Sequence, residues 1–154
     1  MASFRSVDAC RRWGDVVGLY RFPLRVYLED TDAGGIVFYA NYLKFFERAR
    51  TEFVRSYGFE MRRSLNDGIS FVVAELAMKY RASAYLDDEL DVCVQSLELR
   101  NSYFRVHQWV ERRSEPGKRL VEGEVKVACV DLMSGRPRKM PASLSAALRA
   151  DLEK

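Results

Sequence analysis

The apolar residues Tyr42, Phe45, Phe46, Ala49, Phe53, Val54 and Tyr57 recur at intervals of three and four, with Lys44, Glu47, Arg48, Arg50, Glu52 and Arg55 between them. That spacing predicts an amphipathic helix with one broad buried stripe. Gly58 follows the last apolar residue, where a glycine can take the left-handed conformation that closes a helix. A helix of 17 or so residues is about 25 Å long, enough to run under most of a small sheet. No other segment carries a helical pattern of that length. A chain built on it must supply a sheet to cover the stripe.

The residues ahead of the helix prepare its start. Residues 24–29 are mostly apolar and β-favouring, and the run stops at Asp30-Thr31-Asp32-Ala33-Gly34-Gly35, a cluster of turn formers. A helix start carries unpaired N–H groups and a partial positive charge, and the expectation is that Asp32 sits just before it. Glycines at 34 and 35 let a backbone or a ligand approach closely. Read as a calcium loop, the motif fails, because Gly34 falls at its fifth position and Asn41 at its twelfth, where a bidentate glutamate is needed. From the residues alone, Asp30 and Asp32 either organise the turn or carry chemistry.

After Gly58, a short helix from Phe59 to Asn66 closes near Gly68, and the period then changes. Residues 69–83, 89–99, 102–113 and 119–131 read as four strands. In the last, Val121, Val125, Val127 and Cys129 share one face, while Glu122, Glu124 and Lys126 share the other. The alternation within 89–99 slips near Gln95-Ser96, which predicts a bulge. Residues 142–152 form a terminal helix. A long helix followed by antiparallel strands is an α+β pattern in which the sheet wraps the helix.

With 154 residues, 48% of them hydrophobic, one core is expected. The expected division is an N-terminal extension over 1–21, loosely held, and a single domain over 22–154. The extension lacks the apolar core of roughly 7–15 residues that a secretory leader needs, so a cytoplasmic protein is expected. The net charge of +3 comes from 25 basic and 22 acidic residues without a basic block, which argues against nucleic-acid binding. Cys10, Cys93 and Cys129 are widely spaced and read as reduced structural thiols. The single histidine, His107, lies in a strand pattern and reads as structural. Without paired cysteines or clustered histidines, no metal site is expected. No cofactor is expected either.

The residues Arg25-Val26-Tyr27, Glu29 to Gly35, Val37, Tyr42 and Glu47-Arg48-Ala49-Arg50 together resemble the signature of hotdog-fold acyl-CoA thioesterases. The likeness is to the 4-hydroxybenzoyl-CoA thioesterase type and its Tol-Pal-associated, YbgC-like branch. It continues through Phe71-Val72-Val73, Tyr80, Leu86-Asp87-Asp88 and Pro137-Arg138, and covers about residues 22 to 145. The resemblance implies a hotdog fold, an antiparallel sheet wrapped around one long helix. It implies hydrolysis of a small or medium acyl or aroyl thioester, with Asp32 as nucleophile or general base. The backbone N–H of Tyr39 would hold the oxyanion, and Gly34, Gly35, Phe38 and Phe71 would contact substrate. Arg100, Ser102, Arg138 and Lys139 would bind the phosphates of coenzyme A. Homodimers or homotetramers with sites across the interface are implied, as is, by resemblance only, a functional link to the Tol-Pal system. A non-catalytic acyl-CoA-binding or sensing module on the same fold is the alternative. Two positions depart from the branch. Many Tol-Pal-associated members carry histidine where this chain has Tyr39, and tyrosine where it has Leu28, so a mechanism using that histidine is closed to this protein.

Overall fold

The computed structural model describes residues 18–154. The expectation for residues 1–17, including Cys10, lies outside the described residues. Five antiparallel strands make one sheet: β1 (Leu19–Arg25), β2 (Ile69–Tyr80), β3 (Glu89–Leu99), β4 (Tyr103–Arg112) and β5 (Arg119–Asp131), in the spatial order β1-β3-β4-β5-β2. Three helices accompany it: α1 (Tyr42–Arg55), α2 (Met61–Asn66) and α3 (Ala142–Leu152). This is the α+β hotdog arrangement, with α1 as the filling. Among the described residues, no helix is long and apolar enough to cross a membrane.

The expected stripe of α1 is the core. Phe45, Phe46 and Ala49 are fully buried, and Tyr42, Phe53 and Val54 nearly so. They pack with Leu90, Val92 and Val94 of β3, Phe104, Val106 and Val110 of β4, and Val121, Val125 and Val127 of β5. The helix is 14 residues long, ending at Arg55 where the periodicity alone ran on to Tyr57. Gly58 has a φ of +82° at the close of the following turn, the left-handed conformation its position called for.

Two expectations near the N-terminus are corrected. The strand is not residues 24–29 but β1, which begins at Leu19 and pairs along its whole length with β3, Leu19 opposite Gln95 and Arg25 opposite Glu89. Residues 19–21 therefore belong to the sheet and not to an extension. Leu28–Asp30 form a 3-10 turn instead of strand, because Asp30 folds its carboxylate back onto the N–H of Tyr27 and bends the chain. The other strands follow the sequence pattern closely. The slip near Ser96 is a register shift in the β3–β4 ladder between Ser96 and Glu98.

β2 forms one open edge of the sheet and leaves Val72, Val73, Leu76 and Tyr80 exposed. Its inner side meets β5 with a second register shift between Val73 and Glu75. Gly123 of β5 lies under the carbonyl of Ala77 and the sulfur of Met78, so close that a Cβ at 123 would collide with both. Backbone cannot yield as a side chain tip can. Gly123→Val should therefore lower stability by roughly 1–3 kcal/mol, the usual cost of overpacking. A chemical denaturation curve superimposable on that of the wild type would refute this.

Candidate active site

Asp30 and Asp32 stand two residues apart and live in opposite environments. Asp30 is 6% exposed; its Oδ2 accepts from the Tyr27 N–H at 2.9 Å and its Oδ1 from Asn41 Nδ2 at 2.8 Å. Its backbone carbonyl takes the Phe38 N–H at 3.0 Å. One buried residue thus joins the end of β1 to the approach of α1. Asp32, by contrast, is exposed. Its Oδ1 accepts the Gly34 N–H at 2.8 Å, and its Oδ2 has no hydrogen-bond partner among the described residues.

The loop around Asp32 is held by its own backbone. Asp32 N–H donates to Ile36 O at 2.9 Å and Gly35 N–H to Asp32 O at 3.1 Å, closing a tight turn in which Gly35 has a φ of +78°. A Cβ at Gly34 would sit 3.2 Å from Asp32 Oδ1, tight against the carboxylate. Ile36 bridges to Tyr85 and Thr31 to Val37, so the loop is tied to the segment that leads into β3.

α1 does not begin at the glycines. Residues 36–38 run extended, a 3-10 turn spans Tyr39–Asn41, and α1 starts only at Tyr42, so the expected contact between Asp32 and the long helix start is replaced by this turn. Tyr39 is its first residue, where an N–H has no acceptor within the turn. Tyr39 O accepts from Tyr80 Oη at 3.0 Å, and the rings of Phe38 and Tyr39 lie 4.8 Å apart. Tyr27, Leu28, Phe38, Tyr39 and Tyr80 are all exposed around this loop, an apolar rim beside one carboxylate.

The remaining expected residues gather at the other end of β2. Phe71 pairs with Cys129, whose N–H donates to Ser102 O at 2.7 Å, and Arg138 N–H donates to Cys129 O at 3.0 Å. Met140 N–H reaches Asn101 O at 2.9 Å, so the Arg100–Ser102 turn and the Arg138–Lys139 segment are neighbours. Arg100 is paired with Glu98 at 2.9 Å and Arg138 with Asp131 at 3.7 Å, whereas Lys139 makes no ion pair among the described residues. From Phe71 to Tyr80 the strand rises about 30 Å at roughly 3.3 Å per residue. Within one chain, then, Asp32 is brought together with Gly34, Gly35, Phe38 and Tyr39, but not with Phe71 or the basic group.

His107 takes no part in this. It lies half-buried on the side of β4 opposite Val106 and Gln108, its ring 4.9 Å from that of Trp109. Burial and the neighbouring Arg119 push its pKa down. Cys93 and Cys129 are both fully buried. No group of three or more metal-ligating side chains occurs among the described residues.

Two polar residues escaped the sequence reading. Gln108 is fully buried on the core-facing side of β4, and Arg50 donates to its Oε1 at 2.9 Å. The signal was present: a glutamine replaces an apolar residue in the alternation Phe104, Val106, Gln108, Val110, and an amide there must have a partner.

The chain matches the model of the thioesterase-like superfamily over residues 26–148. It is 43% identical over 129 residues to an acyl-CoA thioesterase YbgC of Haemophilus influenzae, covering 83% of this chain and 93% of that one. It is 39% identical over 128 residues to an acyl-CoA thioester hydrolase YbgC of Escherichia coli O6:H1, covering 83% and 94%. The crystal structure of a probable thioesterase from Bartonella henselae superposes with a TM-score of 0.73 at 32% identity, over 80% of this chain and 99% of that one. This chain belongs to the thioesterase-like superfamily.

The contrast between the two aspartates yields a measurable difference. Asp30→Ala leaves the Tyr27 N–H and the Asn41 amide without their acceptor, and should cost roughly 1–3 kcal/mol in denaturant unfolding. Asp32→Asn, at an exposed position, should move the same curve by no more than about 0.5 kcal/mol. Equal losses would show that the division of labour is misread.

Proposed function

We propose that this protein is an acyl-CoA thioesterase in which Asp32 attacks the thioester, or activates the water that does, while the Tyr39 N–H receives the oxyanion. The observation that carries the reading is the state of Asp32 within the family signature. One oxygen is steered by Gly34 and the other is unoccupied, next to a turn whose first N–H has no internal acceptor. A carboxylate suits this task, because a thioester carbonyl is already electrophilic and a carboxylate is ionised at neutral pH without an assisting base. Attack by Oδ2 would give a mixed anhydride and release the coenzyme thiolate; the alternative transfers a proton from water to the same oxygen. An N–H aimed at the developing oxyanion contributes on the order of 10²–10³ in rate in other hydrolases.

The separation along β2 bears on assembly. Two copies paired antiparallel along their β2 edges would set the Tyr80 end of one strand, with Asp32, beside the Phe71 end of the other. That geometry supports a homodimer, or a tetramer built from dimers, in which each acyl group spans two chains. It would also cover the exposed Val72, Val73 and Leu76, which an unpaired edge leaves open to aggregation. In such a pair, Lys139 with Arg100, Ser102 and Arg138 would hold the phosphates of the coenzyme on one chain while Asp32 of the other reaches the acyl carbon.

Turnover of an acyl-CoA panel, followed with a thiol reagent, tests the chemistry. Asp32→Asn should lower kcat by several orders of magnitude with little change in KM. Near-normal turnover in that variant would sink the mechanism, and tight binding without turnover in the wild type would favour the sensing module. Assembly has its own test: Leu76→Lys places like charges at the middle of the paired edges, and light scattering should give half the wild-type mass. An active wild-type monomer would overturn the shared site.

A further inference from the structure

A cavity of about 140 Å³ lies between the second half of α1, α2 and the start of β2. Val54, Met61, Phe71, Phe104 and Val127 give it mostly apolar walls. An apolar cavity of about 150 Å³ is enough to take one benzene ring, so the space suits a single ring or a short chain. One wall departs from this. Glu47, Arg50 and Thr51 of α1 line it too.

Thr51 Oγ1 donates to Glu47 Oε1 at 3.0 Å, so that carboxylate is held along the helix. Gln108 is fully buried and its Nε2 donates to the Phe46 carbonyl at 3.0 Å, which fixes its Oε1 toward Arg50. Arg50 spends one N–H on that oxygen, out of the five a guanidinium carries. No carboxylate lies within ion-pairing distance of it among the described residues. Burial pushes its pKa down, and Glu47 offsets this only from farther away. A cation set in an apolar wall, braced from behind and with donors to spare, lacks an acceptor in front.

We infer that Arg50, positioned by Gln108, is a specificity-determining residue that takes an acceptor oxygen at the far end of the acyl group, a hydroxyl or a carboxylate. The inference rests on the proposed thioester hydrolysis, with this cavity as the acyl pocket. An oxygen-tipped acyl group replaces the water around Arg50 with a charge-assisted hydrogen bond. A bare alkyl or phenyl tail removes that water and returns nothing, which penalises it. Glu47 then separates the two oxygen chemistries, since a hydroxyl can donate to it and a carboxylate is repelled.

The test compares kcat/KM for two matched pairs, benzoyl-CoA with hydroxybenzoyl-CoA and pentanoyl-CoA with glutaryl-CoA, in the wild type, Arg50→Met and Arg50→Lys. The wild type should favour the oxygen-tipped member of at least one pair by roughly tenfold or more, the scale of one hydrogen bond to a charged group. Arg50→Met should bring that ratio close to one, and Arg50→Lys should keep part of it. If Arg50→Met does not fold, a ratio in Arg50→Lys clearly below that of the wild type carries the same weight. Pairs treated alike by the wild type, or a preference that survives in the variants, would overturn the assignment. Calorimetric affinities of Asp32→Asn for the same thioesters read the ratio without turnover. A preference in binding without hydrolysis by the wild type would count against the thioesterase reading alone. Hydrolysis with a flat ratio would count against Arg50 alone, and absence of both would overturn both.

Discussion

Phe45, Phe46, Ala49 and Phe53 on α1 are closed off by a single layer of strands, and the arrangement of the molecule follows from that burial. Each large side chain contributes about 1.5–3 kcal/mol when taken fully out of water, so this one stripe outweighs any hydrogen bond or ion pair on the surface. Polar groups reach that interior under strict terms: Gln108 is admitted because both ends of its amide are used, by Arg50 and by the Phe46 carbonyl.

On the outer face of the sheet, charge takes over from hydrophobicity. Arg119 stacks 4.3 Å from the Trp109 ring centre and shares Glu122 with Arg81, whose combined pull holds the Glu122 carboxyl down at about 2. Arg21 meets Glu111 at 2.6 Å, and Glu111 in turn accepts from the Trp109 indole at 3.2 Å. Trp109 is thereby almost fully buried on the side of the sheet away from α1. Among the described residues, the Arg119 guanidinium and the His107 ring lie against it.

Much of this was legible in the sequence, for reasons that differ by element. α1 and β5 could be read because each buries one face, and a half-buried element writes its period into the residues. β3 was legible even to its bulge, since a register shift swaps the faces and so breaks the alternation. β1 was not: Pro23 and four arginines or aromatics in seven positions disguise an edge strand whose partner, β3, lies some seventy residues on. The loop around Asp32 was half legible. Its glycines and aspartates announced a turn, but which aspartate would be buried depended on Asn41 and Tyr27 converging on Asp30, a matter of three-dimensional closure that no local pattern records. The grouping of Phe71 with the basic residues, far from Asp32, likewise became visible only once the direction of β2 was known.

The strand order β1-β3-β4-β5-β2 also has a consequence for synthesis. α1 and β2 leave the ribosome early, yet β2 has no neighbour in the sheet except β5, which begins about 40 residues after β2 ends. At roughly 5–20 residues per second, the edges of β2 wait about 3–10 s, and the apolar stripe of α1 about 4–15 s, for the meander of β3, β4 and β5 to emerge in full and receive them. The nascent chain therefore passes through an interval in which its longest helix, with its apolar stripe, and the edge strand β2 are both complete and both unsheltered. Chaperone demand for this fold should be concentrated in that interval, before residue 131 has been made.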